Sequence, residues 1–192
     1  MDPQPVPEPI AAPTVAVWWA DLTAADLALA GWLDPTETAR LDGLDRAADR
    51  GRFLLGAALL RVAVAAATGR DRRGVVVTRE CSDCGQPHGA PRVQGTAVSV
   101  AHAAALVVVA TATDAVGVDV DRADRGKDMA RWVHQEATFK ALSPLPGGAA
   151  PLRVLPLSPP LPGYLASLAI PAAQTGAIRV HGLAESGAAL RA

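Results

Sequence analysis

Cysteine is nearly absent: Cys81 and Cys84 are the only two in a chain of 192 residues. Two cysteines cannot build a disulfide framework, so a packed core must hold the fold. Aromatic residues make up only 4% of the chain, with one tyrosine and two phenylalanines. Half of the residues are hydrophobic, much of that Ala and Val, so the core is built from small and branched side chains. An excess of one charge is missing too. With 18 basic and 19 acidic residues the net charge is −1. Nothing resembles the basic stripe that a nucleic-acid backbone requires, and no nucleic-acid partner is expected. An arginine cluster can still serve one small phosphate ligand. The longest strongly apolar stretch, Ala103 to Ala110, is too short to cross a bilayer, so no membrane partner is expected. The opening MDPQPVPEPI has neither a positive n-region nor an apolar h-region, and a cytoplasmic location is expected. No GxxxxGK[ST] and no GxGxxG occurs, which leaves P-loop and dinucleotide readings without support.

What is present reads as one α+β chain. Residues 1–13 are proline-rich without periodicity and read as a flexible tail. Thr14 to Trp19 reads as a strand. Asp34-Pro35 is a cap followed by proline at the first helical position. The polar stretch TETARLDGLDRAADR is helix-compatible, and an apolar helix follows from about Arg52 to Ala67, ending at Gly69. Gly74 to Thr78 is a β-branched run and predicts a short strand. The loop CSDCGQPHGAP is dense in turn residues. Three strands come next: Thr96 to Val100, Ala105 to Ala112, and Val116 to Asp121. Lys127 to Leu142 has helical periodicity, broken by SPLPGGAAP. Gly163 to Ile170 and Ala177 to Gly182 read as two final strands.

The strand VGVDVD puts Asp119 and Asp121 on one face, because side chains alternate along a strand. Val118 and Val120 fall on the other. Two carboxylates so placed suit a hard cation such as Mg²⁺. Taken alone, they suit the polar solvent face of a half-buried strand better. On the helix, Trp132, Glu136 and Lys140 recur every four residues and share a face. Glu136 could be a third metal ligand or a general base, and Lys140 could meet a phosphate. The bland alternative is an i,i+4 ion pair worth ~0.2–0.5 kcal/mol. His102 follows the strand that ends at Val100, a sensible place for a ligand-facing histidine or for a turn histidine. Arg40, Arg46, Arg50, Arg52 and Arg61 are scattered over the helical region and read as a solvated surface. Cys81 and Cys84 form a CxxC with His88 four residues on. A structural zinc site needs four protein ligands, so this reads as a turn without tightly bound zinc.

The order of these signals matters more than any one of them. The segments DPTETARLDGLDRAADRGRFLLGAALLR, GQPHGAPRV, VSVAHAA, VGVDVD and RWVHQEATFKAL follow one another between residues 34 and 142. In that order they resemble the Sfp-type 4′-phosphopantetheinyl transferases. The resemblance implies two pseudo-symmetric α/β halves, here 14–97 and 98–192, the second carrying the metal site. It implies Mg²⁺-dependent transfer of the 4′-phosphopantetheine arm of coenzyme A to a serine of an acyl or peptidyl carrier protein. It implies Asp119, Asp121 and Glu136 as metal ligands, and Glu136 and Lys140 as catalytic groups. Arg40, Arg52, His102 and Lys140 would contact coenzyme A. No DSL carrier signature is present, and a monomer is expected. This chain departs from the family at several positions. Gln135 replaces a lysine, Ala101 and Ala103 replace serines around the histidine, Ala90 replaces a loop lysine, and Asp121 replaces a glutamate. Only ten residues, RADRGKDMAR, separate Asp121 from Trp132, where the family has a longer insert. These departures leave a second expectation open: a relative that binds coenzyme A or a carrier without efficient transfer. A third is an unrelated α+β binding module.

Overall fold

The computed structural model describes residues 15–81, 83–142 and 150–192. The expected tail and most of the SPLPGGAAP break lie outside them. The chain is mixed α+β, with two sheets stacked face to face and helices on their outer faces. The first sheet has the order β2-β3-β1-β7. Its strands are β1 (Val15–Asp21), β2 (Ala97–Ala103), β3 (Leu106–Ala112) and β7 (Ile178–His181). β3 pairs antiparallel with β1 and β2, and β1 pairs parallel with β7. The second sheet is antiparallel in the order β4-β6-β5, from β4 (Gly117–Arg122), β5 (Leu152–Leu157) and β6 (Tyr164–Pro171). A boundary between residues 97 and 98 falls within β2, and the first sheet takes strands from both sides of it.

Strand alternation divides the core into layers. Ala16, Trp18 and Ala20 of β1, with Val107 and Val109 of β3, face helix α2 (Ala47–Thr68). The intervening residues Val15, Val17 and Trp19 turn to the second sheet and meet Val118 and Val120 of β4 and Leu168 and Ile170 of β6. A third, small cluster of Ala137, Ala141 and Ala169 joins helix α3 (Met129–Leu142) to the outer face of the second sheet. β3 is therefore buried on both faces, as its unbroken apolar run predicts.

Local signals set the helix ends. Asp34 caps α1 (Pro35–Asp42) in a reciprocal capping box with Glu37. Gly43 closes α1, so TETARLDGLDRAADR divides between two helices. Gly69, with φ of 70°, stops α2 in the left-handed conformation that glycine tolerates. By length and composition alone α2 matches a bilayer span, which the apolar run at Ala103–Ala110 does not. Its residues from Leu54 to Val64 are instead buried in the protein. That burial includes Arg61, which is neutralised by Glu37 at 2.7 Å.

Three expectations change. Gly74 to Thr78 is not a strand: Arg72–Gly74 is a 3₁₀ turn, and only Thr78 makes a bridge, to Arg92. Val75 and Val77 are buried while Val76 is exposed, so the alternation is real. A strand also needs a partner edge, and among the described residues none runs beside Val75–Val77. β5 was not expected, because Pro156 interrupts it. At the edge of the second sheet a missing N–H is tolerated. The terminal helix α4 (Leu183–Arg191) was also not expected.

Candidate functional site

β4 and α3 supply the carboxylates, and one glycine sets the distance between them. A Cβ on Gly117 would lie 1.9 Å from the Ala137 carbonyl oxygen and 2.5 Å from the Ala141 nitrogen. The helix backbone thus rests directly on the strand, and no larger residue fits. Asp119, two residues along, faces the same helix. Lys140 reaches it at 2.6 Å and donates a second hydrogen bond to the Val118 carbonyl at 3.3 Å. Both Asp119 and Asp121 are buried, so the pair is not the solvent face of a half-buried strand. At the edge of β4 away from β6, Val118 N–H donates to Ser99 Oγ at 3.0 Å and ties β4 to β2.

Asp119 is held above the usual carboxylate range, chiefly by burial. Lys140 opposes the shift, while Glu136 and Asp121 add to it as like charges. Glu136 is half-buried on α3. Glu136 and Asp121 thus act on Asp119 as like charges, with Lys140 as the opposing cation, but among the described residues the three carboxylates do not converge within 4.8 Å of one another. Oxygen donors of that kind are what a hard divalent cation takes. Asp121 is the most encumbered of them. Its Oδ1 accepts from the Arg122 N–H at 2.7 Å, and its Oδ2 accepts from Arg125 at 2.6 Å. Arg125 lies in the short connection between β4 and α3, in a 3₁₀ turn over Ala123–Arg125.

His102 lies inside β2, which runs three residues beyond its expected end at Val100. The ring reaches solvent, yet its surroundings desolvate it. That effect, with the cations Arg52 and Lys140, pulls its pKa below the ordinary histidine range. Arg52 itself is clamped, donating to the Ala104 carbonyl at 2.8 Å and pairing with Asp49. Ala104 is the described non-glycine residue with positive φ, at 46°. That conformation costs an alanine on the order of 1 kcal/mol. Three contacts hold the hairpin there: Arg52, the Leu22 N–H on the Ala105 carbonyl, and Tyr164 Oη accepting from the Ala105 N–H at 3.1 Å. The strained tip fixes the strand end that carries His102.

A cleft of about 300 Å³ lies beside this group. Its walls are the loop 88–92, Ser99 and Val100 of β2, and Phe139 and Lys140 of α3. Lys140 on α3 acts on both Asp119 of β4 and His102 of β2, Glu136 acts on Asp119, and Arg52 of α2 acts on His102. Arg40 does not join them. It is exposed on α1, 5.2 Å above the Phe53 ring, and its charge acts on Arg79. Arg79 and Arg61 flank the buried Glu37, so this second group of arginines is built around a structural ion pair.

No family model matches this sequence, and no curated protein matches it. Arg92 and Phe139 line the cleft, and neither stood out in the sequence. Arg92 follows the GQPHGAP loop by one residue, which was the available signal. Phe139 carried none: an apolar residue on an amphipathic helix ordinarily faces the core, whereas this one is 67% exposed. Cys81, Cys84 and His88 come together in the loop that forms the cleft wall, with Cys84 Sγ 3.0 Å from His88 Nε2.

Proposed function

We propose that this chain is a 4′-phosphopantetheinyl transferase that moves the phosphopantetheine arm of coenzyme A to a serine of an acyl or peptidyl carrier protein. The observation that supports the reading is Lys140 on the cleft wall in contact with Asp119 at 2.6 Å, with Glu136 acting on Asp119 and Lys140 acting on His102 as charges, from motifs that are far apart in sequence. The stacked sheets, with α2 outside one and α3 outside the other, are compatible with two α/β halves.

The residues divide into three tasks. His102, Arg52, Lys140 and Arg92 offer positive or protonatable groups to the coenzyme A phosphates. Arg92 is two residues from Ala90, where the resembling family has lysine, and restores a cation to that wall. Glu136 accepts the proton of the carrier serine. The serine oxygen then bonds to the phosphorus that bears pantetheine. The phosphoanhydride P–O bond breaks, and adenosine 3′,5′-bisphosphate leaves with that electron pair. Mg²⁺ held by Asp119, Glu136 and Asp121 would offset the negative charge of the pyrophosphate. Asp121 joins that set only after releasing Arg125. Lys140 holds Asp119 in place and shields it from Glu136 until then.

A second reading, coenzyme A binding with little transfer, draws on the same contacts. Arg125 engages Asp121 from a connection of minimal length, and Gln135 supplies no charge next to Glu136. One experiment separates the two: apo carrier proteins incubated with this protein, coenzyme A and Mg²⁺, followed by intact-mass analysis. A carrier that gains the phosphopantetheine mass supports transfer. Calorimetric binding of coenzyme A with no carrier modified supports the second reading, and the absence of both binding and modification defeats both.

A further inference from the structure

The loop from Cys81 to Arg92 holds a group of side chains that the transfer reaction does not use. Cys81 Sγ, Cys84 Sγ and a ring nitrogen of His88 lie within 4.8 Å of one another. Zn–S bonds of ~2.3 Å and Zn–N bonds of ~2.0–2.1 Å give a tetrahedron with edges of roughly 3.5–3.8 Å, so only small side-chain adjustments are needed. The backbone is already wound for it. Gly85 has φ of 71°, a conformation that favours glycine, and its N–H donates to the Cys81 carbonyl at 2.9 Å. The same turn directs the N–H groups of Asp83 and Cys84 at the Cys81 sulfur. N–H groups so placed favour a thiolate, the form that binds metal.

We propose that Cys81, Cys84 and His88 form a zinc site with an open fourth position toward solvent. Two thiolates and an imidazole are the donors that a borderline-soft cation prefers over Mg²⁺ or Ca²⁺. The sequence alone argued against zinc because only three ligands are in reach. Three protein ligands are enough for a site whose fourth ligand is water. Cys84 and His88 are exposed, so water reaches that position. The site has a structural consequence. The loop is pinned at its base by the Thr78–Arg92 bridge and by Gly89, whose Cβ would lie 2.5 Å from the Glu80 carbonyl oxygen. Zinc closes its free end. His88 to Arg92 then form a rigid wall of the cleft rather than a loose one. This inference stands apart from the transferase reading, since it concerns metal binding whatever the cleft holds.

The test uses the full chain, reduced, stripped of metal and titrated with Zn²⁺ against a chromogenic chelator, with Co²⁺ as a spectroscopic probe. One equivalent is expected, with cobalt–thiolate charge-transfer bands. Cys81→Ser, Cys84→Ser and His88→Ala should each weaken binding by more than ~10-fold, the smaller effect typical of losing even an outer-shell partner. Zinc should also slow alkylation of both thiols in the native chain and protect the amides of the non-proline residues between 83 and 92 from hydrogen exchange, readouts that do not depend on a variant folding. Failure of the reduced native chain to bind zinc, binding unchanged in the three variants, or thiols alkylated equally fast with and without zinc would each overturn the proposal.

Discussion

Replacing Gly117 by alanine tests whether the closeness of α3 and β4 builds the site. The added methyl would lie 1.9 Å from the Ala137 carbonyl oxygen, against ordinary van der Waals contact from 3.4 Å. The obstruction is backbone on both sides, so no rotamer change relieves it. To restore contact, α3 must retreat by roughly 1–1.5 Å at that point, given the steepness of close repulsion. The retreat opens the Ala137, Ala141 and Ala169 cluster and stretches the 2.6 Å Lys140–Asp119 contact. Overpacking of this kind costs ~1–3 kcal/mol, and loss of a buried partner places this case near the upper end. In urea that is a midpoint shift of about 1 M, for a slope of 2–3 kcal/mol/M. A displacement of ~1 Å at reacting groups can cost ~10²-fold in rate, so transfer should fall further than stability predicts. Gly31→Ala is the control, since nothing lies within 4 Å of its Cβ position, and it should stay within ~0.5 kcal/mol of the parent. Equal urea midpoints and equal transfer rates for Gly117→Ala and the parent would refute the reasoning.

Other perturbations address separate parts of the molecule. Glu37→Ala leaves Arg61 buried without its partner and should destabilise the fold by ~3–5 kcal/mol; replacing both with leucine removes that unpaired charge and should cost less, although Arg79 loses its 3.8 Å contact in either variant, and chemical denaturation distinguishes the two. His102 has its pKa lowered by burial, Arg52 and Lys140, and a bound phosphate dianion would raise it again. Binding of coenzyme A should therefore take up a proton. Affinity should be highest below the pKa of the free protein and fall as pH rises through that of the complex. Calorimetry in buffers of different ionisation enthalpy reads this proton, and an uptake identical in His102→Gln would assign it elsewhere. Glu136→Ala should abolish carrier modification with coenzyme A binding retained, while Gln135→Lys should raise the rate modestly in single-turnover assays. Arg92→Ala should weaken coenzyme A binding with little effect on stability; unchanged affinity would remove Arg92 from the cleft's function.

Much of the site was legible in the sequence because it depends on local periodicity. Alternation along VGVDVD assigns Asp119 and Asp121 to one face and the valines to the other, whatever the strand packs against. The i,i+4 spacing likewise puts Glu136 and Lys140 together. Asp34, Pro35 and Gly69 mark helix ends through their own hydrogen bonding and dihedral preferences, so their roles carried over to the folded chain. What depends on a partner from elsewhere did not carry over. Val75 to Val77 have the composition and the alternation of a strand, but a ladder needs an edge, and only Thr78 finds one. Arg40 and Arg52 are equally basic in sequence. Tertiary packing sends Arg52 to the His102 hairpin and leaves Arg40 over Phe53. Cys81, Cys84 and His88 could be counted in advance, but their convergence waited on the turn at Gly85. Lys140 had no visible reason to choose Asp119 over Glu136 on its own helix. The glycine contact that brings α3 down onto β4 decided it, because an ion pair forms where packing has already closed the distance.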